Sequence, residues 1–244
     1  MDTSLLFKTF LILGVQLSIV FGMCLLVIMG ARKAAIAGTT LWGQRFIMAS
    51  NVRGELDVEI DESRQGRLNY LGWVSMIAMF AMVFIAPVSL VWGLALMTLT
   101  SVTLGPVLGL IMLSVDENDG LRAMQLTLLI TAITAVIGLY SGIDFSGLRV
   151  FLFVALLGLI LLRLVMLFTQ FASGKQRIIA IGGAALFTLF LLYDFNRLAQ
   201  LDARGVNDWG TALNLAISLY LDIIRAVSPG GEPAVARVGP HPEV

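Results

Sequence analysis

The chain has 244 residues, of which 58% are hydrophobic and only 13% are charged, and its mean hydropathy is +0.92. An ordinary soluble domain carries about a quarter charged residues, so this composition indicates an integral membrane protein. The formal net charge is zero, which provides no basic surface for nucleic acid. Cys24, the only cysteine, lies in an apolar run and cannot form an intramolecular disulfide.

Seven apolar runs have roughly the length of about 20 residues that a helix needs to cross a bilayer. The stretch 68–115 has no charged residue and is long enough for two spans. Pro87 divides it, because proline lacks an amide donor. The sequence therefore predicts an all-α membrane protein with seven transmembrane helices in one domain, 1–227. The predicted spans are 5–30, 68–86, 88–114, 121–143, 148–171, 178–198 and 211–227.

Polar residues are concentrated outside these spans. The insert 31–67 contains six basic residues and the acidic run GELDVEIDE. Its middle, AAIAGTTLWGQRFIMAS, is expected to form a short helix on the membrane surface or a plain loop. The tail 228–244, which holds His241, is rich in proline and is expected to be disordered. The basic residues of the insert favour a cytoplasmic insert and C-terminus, and Lys8 is expected to snorkel to the membrane surface.

Each of the last two predicted spans contains one aspartate, Asp194 or Asp222. Asp208 lies midway between them, in a run rich in glycine and asparagine that predicts a turn. Each acid would then lie on the order of 15 to 20 Å from that turn, at similar depth. Acids at such depth usually face the interior of the bundle and have a function. Two that meet there would share one proton and could act as a proton switch or bind a hard cation such as calcium.

Nearby arginines leave a purely structural alternative open. Arg197 follows Asp194 by three residues and Arg225 follows Asp222 by three, so each acid could be neutralised by a helical neighbour. The arginines could instead serve the site as removable counter-ions. Further candidate partners are a counter-ion from the fifth span and three hydrogen-bonding side chains, namely Arg163, Tyr193, Tyr220 and Asn214.

The residues around the two acids resemble the signatures of a known family. LLYDFNRL at 191–198 and ALNLAISLYLDII at 212–224 are similar to the two acid-bearing motifs of the transmembrane Bax inhibitor motif family. LTSVTLGPVL at 99–108 is similar to a segment at the end of its third helix. The resemblance implies a seven-helix bundle with a central C-terminal helix, in which Asp194 and Asp222 are the paired aspartates. Family members behave as pH-sensitive calcium leak channels or as suppressors of cell death.

Two functions remain open at this stage. The first is a pH-sensitive cation leak channel, with calcium as the expected ion. The second is a non-transporting interaction protein that modulates a membrane protease or a stress or cell-death partner through the insert. An intramembrane aspartyl protease is not expected, because no glycine lies near Asp222. The sequence contains no phosphate loop, metal-ligand cluster or nucleophile triad, so enzymatic activity and a resident cofactor are not expected. We expect a bacterial inner membrane as the location, with a eukaryotic organelle membrane as the alternative.

Overall fold

A computed structural model describes residues 3–50, 56–60, 68–115, 117–168 and 173–227. Within these ranges the chain forms seven helices, which confirms the predicted all-α class. They are α1 (Leu5–Ala37), α2 (Leu68–Ile85), α3 (Leu90–Val115), α4 (Glu117–Tyr140), α5 (Leu148–Phe168), α6 (Ser173–Ala203) and α7 (Trp209–Val227). The predicted disordered tail, 228–244, lies outside the described residues.

The helices α1, α3 and α7 run in the same direction. Contacts between α1 and α3 follow one another in chain order, from Gln16 with Thr98 to Cys24 with Met112. The chain enters α1 beside the turn between α6 and α7, where Lys8 bonds Asn207. We call this the turn end of the bundle, and the opposite end, where α1 finishes, the sheet end.

Helix α7 is the central helix of the described structure. It packs against α1, α3, α4 and α6. Most of its side chains are buried because four helices pack against it, and the less buried positions Asn214, Ser218 and Leu221 fall on one face. Its buried apolar residues are Ala212, Leu213, Leu215, Ala216, Ile217, Leu219, Tyr220, Ile223 and Ile224.

The insert contains strands, so the expected surface helix or plain loop is wrong. Helix α1 continues to Ala37 through good helix formers and ends at Gly38, whose φ of 64° suits glycine. Three strands follow, β1 (Thr40–Leu41), β2 (Gln44–Ser50) and β3 (Leu56–Ile60), and form an antiparallel sheet in the order β1-β2-β3. The sheet packs against α1, and β3 also contacts α3 and α4.

Two of the described helices are long and apolar enough to cross a membrane, judged by length and composition: α1 and the segment Leu90–Leu113 of α3. Shorter apolar segments occur at Tyr70–Ile85, Met124–Tyr140, Leu148–Leu162 and Trp209–Ile224. Large apolar side chains such as Trp73, Phe84 and Phe153 are exposed on α2 and α5. Exposed apolar surface of this extent suits lipid better than water.

Candidate functional site

The turn between α6 and α7 reverses the chain within five residues. Gly205 has a φ of 76°, and the amide of Val206 bonds the carbonyl of Leu201, which closes the end of α6. Asp208 then caps α7, because its Oδ1 accepts a hydrogen bond of 2.7 Å from the amide of Thr211. That bond lowers the pKa of Asp208. The two helices are therefore held as an antiparallel pair.

This pairing brings Asp194 on α6 and Asp222 on α7 together. Their carboxyl groups approach each other within reach of a hydrogen bond. Both side chains are buried, with 6% of Asp194 and 8% of Asp222 exposed. A hydrogen bond between two carboxyl groups needs a proton on one of them, and two like charges at this distance would repel each other. The geometry therefore supports one proton shared by the pair.

Of the three candidate arginines, the structure describes only the side chain of Arg197. Arg197 is exposed, and no salt bridge joins it to Asp194 within the described part of the chain, although its positive charge acts on that carboxyl. Arg225 and Arg163 lie on α7 and α5, but their side chains fall outside what the structure describes. At Asp194 local neutralisation is therefore limited to this electrostatic effect of Arg197, without a salt bridge, and at Asp222 it stays a prediction.

The three candidate hydrogen-bonding side chains lie in different places. Asn214 is exposed, whereas the two aspartates are buried. Tyr193 is half-buried, and the structure shows no hydrogen bond from it to Asp194 or Asp222 among the described residues. Tyr220 is fully buried and lies 3.2 Å, between hydroxyl oxygens, from Ser101 on α3. It belongs to a second polar cluster and not to the carboxyl pair.

The second polar cluster joins α1, α3 and α7 and centres on Gln16. The hydroxyl of Ser101 donates to Gln16 Oε1 at 2.8 Å, and Gln16 Nε2 donates to Thr98 Oγ1 at 3.0 Å. Gln16 is only 4% exposed. Since Tyr220 is two residues before Asp222, the cluster fixes α7 on the side that faces α1 and α3.

Lys8 closes the turn end of the bundle, where its side chain reaches the polar turn between α6 and α7. Its ammonium group donates to the carbonyl and to the side-chain oxygen of Asn207, both at 2.9 Å. It also lies 5.2 Å from the centre of the Trp209 ring. Only 8% of the lysine is exposed. It stays inside because the turn supplies oxygen and aromatic partners that replace water.

Asn196 ties the loop between α4 and α5 to α6. Its amide nitrogen donates to the carbonyls of Gly138 and Ile143, at 3.2 and 2.8 Å. Its oxygen accepts from the amide of Phe145 at 3.1 Å. All of its groups are thus bonded two residues after Asp194, so this stretch of α6 is fixed on the α4 side.

A family comparison decides where this arrangement belongs. The family model described as "Inhibitor of apoptosis-promoting Bax1" matches residues 3–226, which is nearly the whole chain. The chain belongs to the Bax inhibitor family. Its proteins are membrane proteins, which agrees with the apolar helices seen here. The resemblance read from the motifs around Asp194 and Asp222 is thereby confirmed.

Curated relatives add similarity but no function. Two proteins from two strains of Helicobacter pylori are each 28% identical to this chain over 131 residues. That region covers 54% of this chain and 54% of each relative, so the chain spans about half the length of the curated relatives it matches. Both are named only as uncharacterised proteins.

The carboxyl pair of this Bax inhibitor family protein can be compared with the ligand sets of known metal sites. Among the described residues, no group of three or more histidine, cysteine, aspartate or glutamate side chains could hold a metal ion. A stable calcium site takes six to eight oxygen ligands. Asp194 and Asp222 supply carboxylate oxygens of the right type but too few to form a cage.

Sequence reasoning missed Gln16 and Asn196. Both are amides inside long apolar runs, and a polar residue at membrane depth was the available signal. Their partners, however, come from other helices and include backbone carbonyls, which no sequence pattern reveals.

Proposed function

We propose that this protein crosses the membrane with all seven helices and provides a pH-sensitive leak pathway for cations, gated by Asp194 and Asp222. Calcium is the expected ion. The observation that carries the proposal is the close approach of two buried carboxyl groups, one of them on the central helix.

Seven membrane crossings fit the order of the helices. Short connections at 86–89, 141–147 and 204–208 reverse the chain, which places consecutive helices antiparallel. Apolar side chains cover the outer faces of α2, α4 and α5. Each of the shorter apolar helices packs against its neighbours on one side and exposes apolar side chains on the other. Such a helix can face lipid, because its backbone groups are bonded within the helix.

The shared proton would hold the pathway closed. While one carboxyl is protonated, the hydrogen bond joins α6 to α7. Loss of that proton leaves two negative charges. Two unit charges about 4 Å apart repel each other by about 4 kcal/mol at an effective dielectric constant of about 20. This repulsion favours separation of the helices, and the same two charges attract a cation into the space that opens.

Calcium flux into liposomes tests the proposal. Reconstituted protein should admit calcium at a rate that depends on pH, and Asp194→Asn and Asp222→Asn should each abolish that dependence. Asp144→Asn is a matched control, because Asp144 is exposed in the loop between α4 and α5. It should behave like the unaltered protein. Unchanged, pH-dependent flux in both site variants would refute the gate.

The folded insert supports a second candidate, a non-transporting interaction protein. The insert forms a three-stranded sheet at one end of the bundle, and its outer strand β3 contains Asp57 and Glu59. Such a sheet is a stable surface for a membrane protease or a stress or cell-death partner. Replacing 40–60 by a short linker should then abolish co-purification of the partner from native membranes. Retained co-purification would remove this candidate.

A further inference from the structure

The hairpin β1-β2 folds back along α1 instead of extending away from it. After the left-handed cap at Gly38, the chain reverses and the Leu41 side chain packs over Gly30. A Cβ atom on Gly30 would lie 3.1 Å from Leu41 Cδ2, so the missing side chain makes room for this contact. Gly30 is seven residues before Ala37, which is about 10 Å along the helix. The tip of the hairpin therefore lies about 10 Å nearer the membrane than the end of α1.

A strained tryptophan occupies that tip. Trp42 and Gly43 form the two-residue turn between β1 and β2, with φ of 53° and 80°. Asparagine, aspartate or glycine is the usual residue at the position of Trp42, because a Cβ is disfavoured at positive φ. The Trp42 side chain is 51% exposed, so packing inside the protein does not offset the strain.

Exposed cations surround the same level of the helix. The apolar run of α1 ends at Ala31, and Arg32 and Lys33 follow it directly. Both are exposed, as is Arg45, which pairs with Thr40 beside the turn. Ile36, one turn beyond Lys33, is 73% exposed. Basic residues that directly follow an apolar span are expected at the level of the lipid headgroups.

We propose that the hairpin tip is an anchor for anionic lipid, in which the Trp42 ring enters the headgroup layer and Arg32, Lys33 and Arg45 bind lipid phosphates. Tryptophan favours this layer because its ring is apolar and its N–H still finds a polar partner. An anionic leaflet complements the three cations.

The backbone positions of the two β3 acids lie away from the tip. By strand register, Asp57 and Glu59 stand opposite Ala49 and Ile47, beyond β2 and away from β1. The turn itself is flanked by Arg45 on β2 and approaches α1 near Arg32 and Lys33. Among the described residues of the insert, the exposed cations therefore lie at the tip and near the level of Gly30.

The proposal rests on α1 crossing the membrane and not on the cation pathway. A protein that conducts no ion would still place Trp42 in the headgroup layer. Conversely, loss of the anchor leaves the Asp194–Asp222 carboxyl pair in place, because the two features lie on different elements. The two proposals can therefore fail separately.

Depth-resolved fluorescence quenching tests the tryptophan. The full chain carrying Trp73→Phe, Trp92→Phe and Trp209→Phe keeps Trp42 as its only tryptophan. In nanodiscs, lipids brominated near the glycerol should quench it at least about twofold more than lipids brominated near the chain ends. Strong quenching by aqueous iodide with none by either brominated lipid would overturn the proposal.

Lipid preference tests the cations. In nanodiscs of phosphatidylcholine and phosphatidylglycerol, Trp42 should be quenched more by the brominated anionic lipid. The combined variant Arg32→Gln, Lys33→Gln and Arg45→Gln should lose this preference for the anionic lipid. Each charge that is removed should lower the preference by up to about fivefold. Arg149→Gln is the matched control, because it removes an exposed charge at the turn end, and it should leave the preference unchanged. An equal preference in the triple variant would contradict the proposal.

Discussion

The carboxyl groups of Asp194 and Asp222 meet inside the protein within reach of a hydrogen bond, although the two residues are 28 positions apart in the chain. The turn at 204–208 makes this contact possible, and Asn196 and Tyr220 fix the two helices on either side of it. The two helices that carry the carboxyl groups are therefore both fixed by contacts with other helices. Under the proposed function, a change of proton number at the pair acts directly on the packing of α6 against the central helix.

Close packing of α4 against α6 depends on Gly138. A Cβ atom there would lie 2.6 Å from Phe195 Cβ and 3.0 Å from the Leu192 carbonyl. We expect Gly138→Ala to lower the free energy of unfolding by about 1–3 kcal/mol, because α6 must move away. Gly158→Ala is the control, since Gly158 on α5 has open space around it. Thermal unfolding in detergent compares the two, and equal midpoints would show that α4 and α6 are not in close contact.

Removal of the Asn196 side chain should loosen the loop between α4 and α5. Asn196→Ala breaks three hydrogen bonds to backbone groups of Gly138, Ile143 and Phe145, each of which contributes about 0.5–1.5 kcal/mol. We expect faster proteolysis at 141–147 and a lower unfolding temperature. Gln200→Ala should have a smaller effect, because its amide bonds an exposed carboxyl and Asn196 itself. Equal cleavage rates in the two variants would contradict this role.

Substitutions at Gln16 and Ser101 should have coupled effects on the free energy of unfolding. Gln16→Leu removes the link between α1 and α3 at a cost of about 0.6–1.7 kcal/mol. The cost is limited because Ser101 and Thr98 can bond the carbonyls of Met97 and Leu94. Adding Ser101→Ala should cost about 0.5–1 kcal/mol less than the sum of the single changes.

A control pair separates this coupling from general loosening. Thr103 bonds only carbonyls of its own helix in the described structure. Thr103→Val should therefore add independently to Gln16→Leu in the same unfolding measurements. If the losses in the free energy of unfolding caused by Gln16→Leu and Ser101→Ala were additive, the hydrogen bond between the two side chains would not contribute to stability.

The cap of α7 predicts a pH effect with a definite sign. The amide of Thr211 lowers the pKa of Asp208 from its ordinary value of 3.8. The stabilisation is therefore present above about pH 4 and is lost as the pH falls through the lowered pKa. Asp208→Ala should reduce the free energy of unfolding by about 0.5–2 kcal/mol at neutral pH. This difference from the unaltered protein should shrink in acid, whereas Asp208→Asn should keep most of the cap without titrating. A difference that is constant with pH would contradict the assignment.

The helices and the acid pair could be anticipated from sequence because both follow from local rules. Apolar runs such as 123–143 have the length of a span, and the glycine-rich run around Asp208 placed Asp194 and Asp222 at similar distances from one turn. Their meeting required only that α6 and α7 pack side by side.

The sheet, the Lys8 contacts and the Gln16 cluster could not be anticipated in the same way. The run QRFIMAS alternates over too few residues to distinguish a strand from a loop without its partner LDVEI. Lys8 is held by Asn207, and Gln16 by Ser101 and Thr98, all of them distant in the chain. Such contacts depend on which helices become neighbours, and the hydropathy pattern leaves that choice open.

The protonation of the two carboxyl groups is the most direct test of the gate. Carbon-13 NMR of aspartate-labelled protein in bilayers should show one protonated carboxyl signal that is absent from both Asp194→Asn and Asp222→Asn, because an asparagine amide can donate the bond in its place. The signal should disappear over the same pH range in which calcium flux changes. Two ionised carboxyl groups throughout that range would contradict the shared proton and the gate built on it.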